Sequence, residues 1–171
     1  MKIRIGFSTT NSLFSRAIRY ITESKVSHTY IRIYDEFLQV PLIIHSDWPG
    51  VVFDHGEQFD LDNIIVQEYE IKSPFLKPAI KHNLWHLRKK YHWLRVINLA
   101  FLVIFKRWLV RKVKNPSINP RSLICVDFIL YLLNDAGLTS LPIGTMTPHE
   151  LMEWFENNYE KLGWLKVVAH A

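Results

Sequence analysis

The stretch from Ile124 to Leu133 constrains the fold more than any other part of the chain. Ile124, Val126, Phe128, Ile129, Leu130, Tyr131, Leu132 and Leu133 leave hardly any polar side, so a helix here is buried on most of its faces and occupies a central position. Its limits are marked in the residues around it. Pro120 disfavours helix at Asn119, Ser122 is a good N-cap, and Gly137 stands where a left-handed residue closes a helix. With Ser122 as the cap, Cys125 is the third helical residue, where free backbone N–H groups and the helix dipole favour a thiolate. That is a place for a nucleophile. The competing reading is a small buried core residue, a common use of free cysteine, and a histidine elsewhere in the chain has to decide between them.

A chain of 171 residues holds one domain, residues 1–171, with a substantial core. Its apolar fraction of 49% and charged fraction of 22% are those of an ordinary globular protein, with no low-complexity stretch or internal repeat. A single cysteine cannot form an internal disulfide, and Met1 to Ser8 alternates like a strand rather than running apolar like a signal core. The expected location is a reducing cytoplasm, with peripheral attachment to a membrane as the variant. A net charge of +5 does not by itself choose among anionic partners. The positive residues gather at 88–90 and 106–114, on either side of an apolar run from Leu99 to Phe105. That run is far below the roughly 20 residues that a spanning helix needs.

In order, Lys2 to Phe7 alternates charged and apolar residues as a strand with one buried face. Residues 9–12 supply caps for a helix through about Tyr20, with Leu13, Phe14, Ala17, Ile18 and Ile21 at helical spacing. Strands are expected at Ser27–Tyr34, Val40–Ser46, Gly50–Asp54 and Ile64–Ile71. Helices are expected at Ala79–Lys90 and Trp93–Lys112. Thr147-Pro148-His149-Glu150 combines an N-cap, a first-turn proline and a capping-box glutamate, opening a helix through about Asn157. Residues 163–168 suggest a last strand. This order of elements predicts an α+β protein built on an antiparallel sheet.

Of the eight histidines, His28 and His45 lie on predicted strands among apolar neighbours, where an unpartnered imidazole is costly. On adjacent antiparallel strands the two rings come within reach of each other if the register allows. These residues carry a resemblance. Lys25 to Arg32 around His28, Ile44-His45-Ser46 followed by Gly50-Val51, Cys125-Val126-Asp127 opening a helix, and Thr147 to Leu151 after it resemble the circularly permuted NlpC-type papain-like cysteine hydrolases. The similar branch holds YiiX-like proteins and the relatives of lecithin:retinol acyltransferase. The resemblance spreads over about residues 7–154 and rests on order and spacing. It implies a permuted papain-like fold, an antiparallel sheet packed against a central helix with the cysteine at its N-terminus. It also implies Cys125 as nucleophile, His28 as base and His45 as orienting residue, with no metal or cofactor. The third position is often an acid in YiiX-like proteins and a histidine in the acyltransferase branch. Cys-Val-Asp replaces the frequent Cys-Ser-Glu, so Asp127 keeps the acidic position.

The expected chemistry is attack of Cys125 on an amide or ester carbonyl, with peptidoglycan-type peptides or lipid acyl groups as the implied substrates. The alternative is a catalytically inactive binding protein of the same fold that meets a membrane or a partner through a basic amphipathic helix. The Trp93–Lys112 stripe either packs on the core or lies on an anionic membrane surface, where Arg107, Arg111 and Lys112 would meet headgroups. No nucleic-acid motif accompanies the basic residues. His82 and His86 share a helix face without a third ligand, which argues against zinc. His55 is the one substitute for His45. His92, His149 and His170 read as surface or capping residues.

Overall fold

The computed structural model describes residues 1–34, 37, 39–47, 50–84, 90–91 and 122–167. Strand β1 (Lys2–Thr9) is followed by helix α1 (Leu13–Thr22), β2 (His28–Tyr34), β3 (Pro41–Asp47), β4 (Gly50–His55), α2 (Gly56–Asp62) and β5 (Ile64–Glu70). Then come α3 (Leu76–Asn83), the dipeptide strands β6 (Lys90–Tyr91) and β7 (Ser122–Leu123), α4 (Cys125–Asp135), α5 (Pro148–Asn158) and β8 (Leu165–Val167). Six strands form an antiparallel sheet in the order β4-β3-β2-β1-β5-β8. Beyond β4 the sheet continues through β6 and β7, which are parallel to each other. The described structure is therefore α+β, as the order of elements predicts.

Alternation along the strands divides the sheet into two unlike faces. Ile3, Ile5, Phe7, Ile31, Ile33, Ile44 and Tyr69 point to one side and meet Val126, Phe128, Ile129, Leu132 and Leu133 of α4 in the main core. Leu76 and Ile80 of α3, with Leu151 and Phe155 of α5, complete it. Each such side chain, once fully buried, contributes about 1.5–3 kcal/mol. Helix α4 is central, as its all-round apolar sequence demands. It ends at Gly137, whose φ of 67° lets Leu138 N–H reach the Leu133 carbonyl at 2.9 Å. At the start of α5, Thr147 Oγ1 accepts from Glu150 N–H (3.2 Å) and Glu150 Oε2 accepts from Thr147 N–H (2.8 Å), the expected capping box.

The opposite face sets a polar network beside a small apolar cluster of Tyr30, Ile43 and Phe59. Arg32 and Glu68 are both buried there, with Arg32 Nε donating to Glu68 Oε1 at 2.7 Å and Tyr30 Oη donating to the same oxygen at 2.7 Å. Arg4 Nη1 donates to Glu68 Oε2 at 3.1 Å. Both Nη groups of Arg32 donate to Asp60 of α2, and Phe59 of the same helix packs on Tyr30 with ring centroids 4.7 Å apart. Tyr30 also lies across Gly6 of β1, where an added Cβ would sit 2.1 Å from Tyr30 Cζ.

Several expectations need correction. Ser122 is not the cap of α4: it is paired in β7 with Lys90, so Ile124 is the N-cap and Cys125 the first helical residue. The backbone N–H of Ile124 is taken by Asp127 Oδ2 at 3.2 Å. Helix α3 starts earlier than Ala79, and Lys90 is a strand residue. Helix α2, not expected at all, inserts between β4 and β5. In α1 the apolar residues do not turn inward; Leu13 is 82% exposed and Tyr20 85%, while Ser15 is buried. The expected Trp93–Lys112 helix, with Arg107, Arg111 and Lys112, lies outside the described residues, as does His86. Among the described residues no helix is long and apolar enough to cross a membrane.

Candidate active site

His28 opens β2 and His45 lies near the end of β3. The register sets His45 opposite Tyr30, so that His28 is its diagonal neighbour. Diagonal positions on one face are far enough apart for two imidazoles to meet edge to face, and the rings do so, 5.0 Å between centroids and 90° between planes. Nε2 of His28 and Nδ1 of His45 are 2.9 Å apart. The other nitrogen of His45, Nε2, is 2.6 Å from Oδ2 of Asp54 on β4. Phe59 packs against the outer edge of His45, centroids 5.2 Å apart. A line of hydrogen bonds therefore runs across three strands, from His28 through His45 to Asp54. Burial first, and the neighbouring His45 second, push His28 down to about 3, so its imidazole is neutral at physiological pH.

These three residues line one side of a pocket of about 280 Å³. Its other wall is the start of α1, with Ser12, Phe14, Ser15 and Ile18, and Ser27 stands beside His28. Behind that wall three hydroxyls are knotted together: Ser15 Oγ lies 2.6 Å from Ser27 Oγ and 2.9 Å from Thr9 Oγ1, with Ser27 Oγ donating to Thr9 Oγ1 at 3.2 Å. This knot explains why α1 buries a serine. It ties the helix to the end of β1 and to the residue before His28.

Cys125 is 6% exposed and belongs to the main core. Its sulfur lies beside Thr29, the residue after His28, and near the Val126 N–H. Thr29 Oγ1 is itself buried without a hydrogen bond of regular geometry. Burial pushes the thiol up to about 11, the nearby Asp127 charge adds to this, and Thr29 and the Val126 N–H offset only part of it. The thiolate expected from a helix N-terminus is thus not the resting form. Desolvation outweighs the dipole because the first turn of α4 faces the sheet rather than water. Among the described residues no hydrogen bond joins Cys125 to His28.

The structure thus brings His28 and His45 together and sets Cys125 against the next residue of β2. Asp54 escaped the sequence reading. A signal for it exists, since pairing β3 with β4 so that His45 faces Val52 places Asp54 diagonal to His45. His55, the substitute for His45, is an exposed residue before α2 and makes no side-chain capping bond. His82 bonds Asp135 through Nδ1 at 2.9 Å. Among the described residues no group of three His, Cys, Asp or Glu side chains could hold a metal. No family model matches the sequence, and no curated protein matches it.

Proposed function

We propose that the chain is a cysteine hydrolase with a permuted papain-like (NlpC-type) fold, cleaving an amide or ester bond through an acyl-thioester on Cys125. One observation carries this reading: the hydrogen-bonded line His28–His45–Asp54 spends Nε2 of His28 and leaves its Nδ1 uncommitted, at the first residue of β2, while the sulfur packs on the opposite face of the sheet beside the next residue, Thr29. An imidazole oriented through one nitrogen with the other left as a base is what a thiol nucleophile requires.

With the thiol raised and the imidazole lowered, the resting pair is neutral. Proton transfer then accompanies attack rather than preceding it. The thiol turns from Thr29 past the start of β2, from the α4 face of the sheet to the face that carries His28, and passes its proton to Nδ1 of His28 as sulfur bonds to the carbonyl carbon. Backbone N–H groups at the start of α4 meet the oxyanion. The tetrahedral species collapses, the amine or alcohol leaves with the proton from His28, and the acyl group remains on sulfur. His28 then deprotonates a water that attacks the thioester, and Cys125 departs as the thiol with that proton. The substrate classes are a peptidoglycan-type peptide or a lipid acyl ester or amide.

A second reading, a binding protein of the same fold without catalysis, draws on the burial of Cys125 and the lack of a hydrogen bond between it and His28 among the described residues. Modification by a thiol-directed electrophile, followed by intact mass across pH 5 to 11, separates the two. For a hydrolase, Cys125 reacts at pH 7 about a hundredfold faster than its small thiolate fraction allows, and His28→Gln removes the excess. Labelling that merely follows thiol ionisation near pH 11, unchanged in H28Q, would reject the hydrolase and leave the binding protein.

A further inference from the structure

The line of hydrogen bonds from Asp54 to His28 contains more than proximity, because its end group can only accept. A carboxylate has no N–H or O–H to offer, so the proton in the 2.6 Å contact belongs to Nε2 of His45. A neutral imidazole protonated at Nε2 has its lone pair at Nδ1. The 2.9 Å contact must then be filled from the other side, by N–H on Nε2 of His28. This leaves the lone pair of His28 on Nδ1, which makes no hydrogen bond among the described residues. The reverse order fails at its first link, where a bare nitrogen would face a carboxylate oxygen at 2.6 Å. Turning the His45 ring over would replace both bonding nitrogens by carbons, and Phe59 is packed against that ring.

We propose that Asp54 is a positioning residue that dictates the proton pattern of both imidazoles and so keeps Nδ1 of His28 unprotonated. The use of that nitrogen as a base rests on the hydrolase reading; the proton pattern does not. Asp54 acts through His45, two links away from the reacting atoms. Its side chain is 45% exposed, so replacing it opens no cavity in the core. Asp62 of α2 lines the same pocket and hydrogen-bonds Gln58 at 2.9 Å, so it does not duplicate the contact.

The test is a long-range proton–nitrogen NMR spectrum of the full chain labelled with nitrogen-15 in histidine, recorded at pH 7. The expected result is a single neutral tautomer, protonated at Nε2, for both His28 and His45. In Asp54→Ala, His28 should become a mixture with a substantial Nδ1–H population. In Asp54→Asn the side-chain amide can donate to Nε2 of His45, which reverses the series and protonates Nδ1 of His28. Labelling of Cys125 at pH 7 should fall at least about tenfold in D54N, as befits a lost general base, with the urea midpoint little changed. An Nδ1–H on His28 in the unaltered protein, an imidazolium at His45, or patterns unchanged in both variants would overturn the proposal. Should the tautomers be as stated while Cys125 stays inert to the electrophile, the hydrolase reading falls and the assignment to Asp54 stands.

Discussion

The two faces of the sheet are held by different physics. Toward α4, the contact is aliphatic and aromatic side chains with no direction to satisfy. Toward α2, Arg32, Glu68, Tyr30, Asp60 and the His28–His45–Asp54 line depend on matched donors and acceptors. Apolar burial tolerates small shifts and swaps of similar volume. A buried polar network tolerates neither, since a lost partner leaves its mate desolvated. The face toward α4 can therefore supply stability without specifying atoms, and the other specifies atoms at a cost in stability. An orienting relay belongs on the second kind of face, and the helix that carries the thiol on the first.

Three experiments would break or sharpen this contrast. Phe128→Ala, which empties the middle of the α4 face, should lower unfolding stability by about 4 kcal/mol in urea titrations; a loss below about 1 kcal/mol would mean that this face is not the main support. On the other face, Glu68→Ala removes the partner of Arg32 Nε and of the Tyr30 hydroxyl and one partner of Arg4, while Asp60 still holds Arg32, and should cost about 3 kcal/mol. A repacked variant with Met at 32 and 68 should recover much of that loss, and failure to recover any would show that the network is not exchangeable for apolar contact.

The smallest effect concerns pH. His28 is held down to about 3 in the folded chain, against an ordinary 6.5, so between these values the unfolded chain binds the extra proton. Its contribution is complete above pH 6.5 and is lost as pH falls toward 3. It amounts to about 2 kcal/mol once its partial exposure is allowed for. Comparing H28Q with the unaltered protein over this window should show the acid-side slope reduced; identical slopes would place the titration elsewhere.

Much of the frame was legible in the sequence because it rests on local pattern. The alternation of β1, the all-round apolar surface of α4 and the Thr147 capping box each follow from residues within one element. What failed depends on distant partners. Ser122 looks like a cap until Lys90 is seen to pair with it, and Asp54 looks like a surface acid until the β3–β4 register brings it to His45. Helix α2 was missed because it begins at a glycine and, besides Gly56, buries only Phe59, too little for an apolar stripe. The outward-turned apolar residues of α1 were misread for the opposite reason: the hydroxyl knot at Ser15 fixes the orientation of the helix against its hydrophobic preference. His28 and His45 were legible because imidazoles between apolar strand residues already demand a partner.

The place where Tyr30 lies across Gly6 couples the amino acids that two positions can accept. With tyrosine at 30, a methyl group at 6 would overlap the ring and push its hydroxyl from Glu68, so that a one-carbon change on β1 would unravel an acid–base network on two other strands. With a small residue at 30 the same methyl group finds room. The two sites should therefore behave as one two-letter word: in a library randomised at both, alanine at 6 would survive only beside a shortened residue at 30, and neither position alone would reveal the rule.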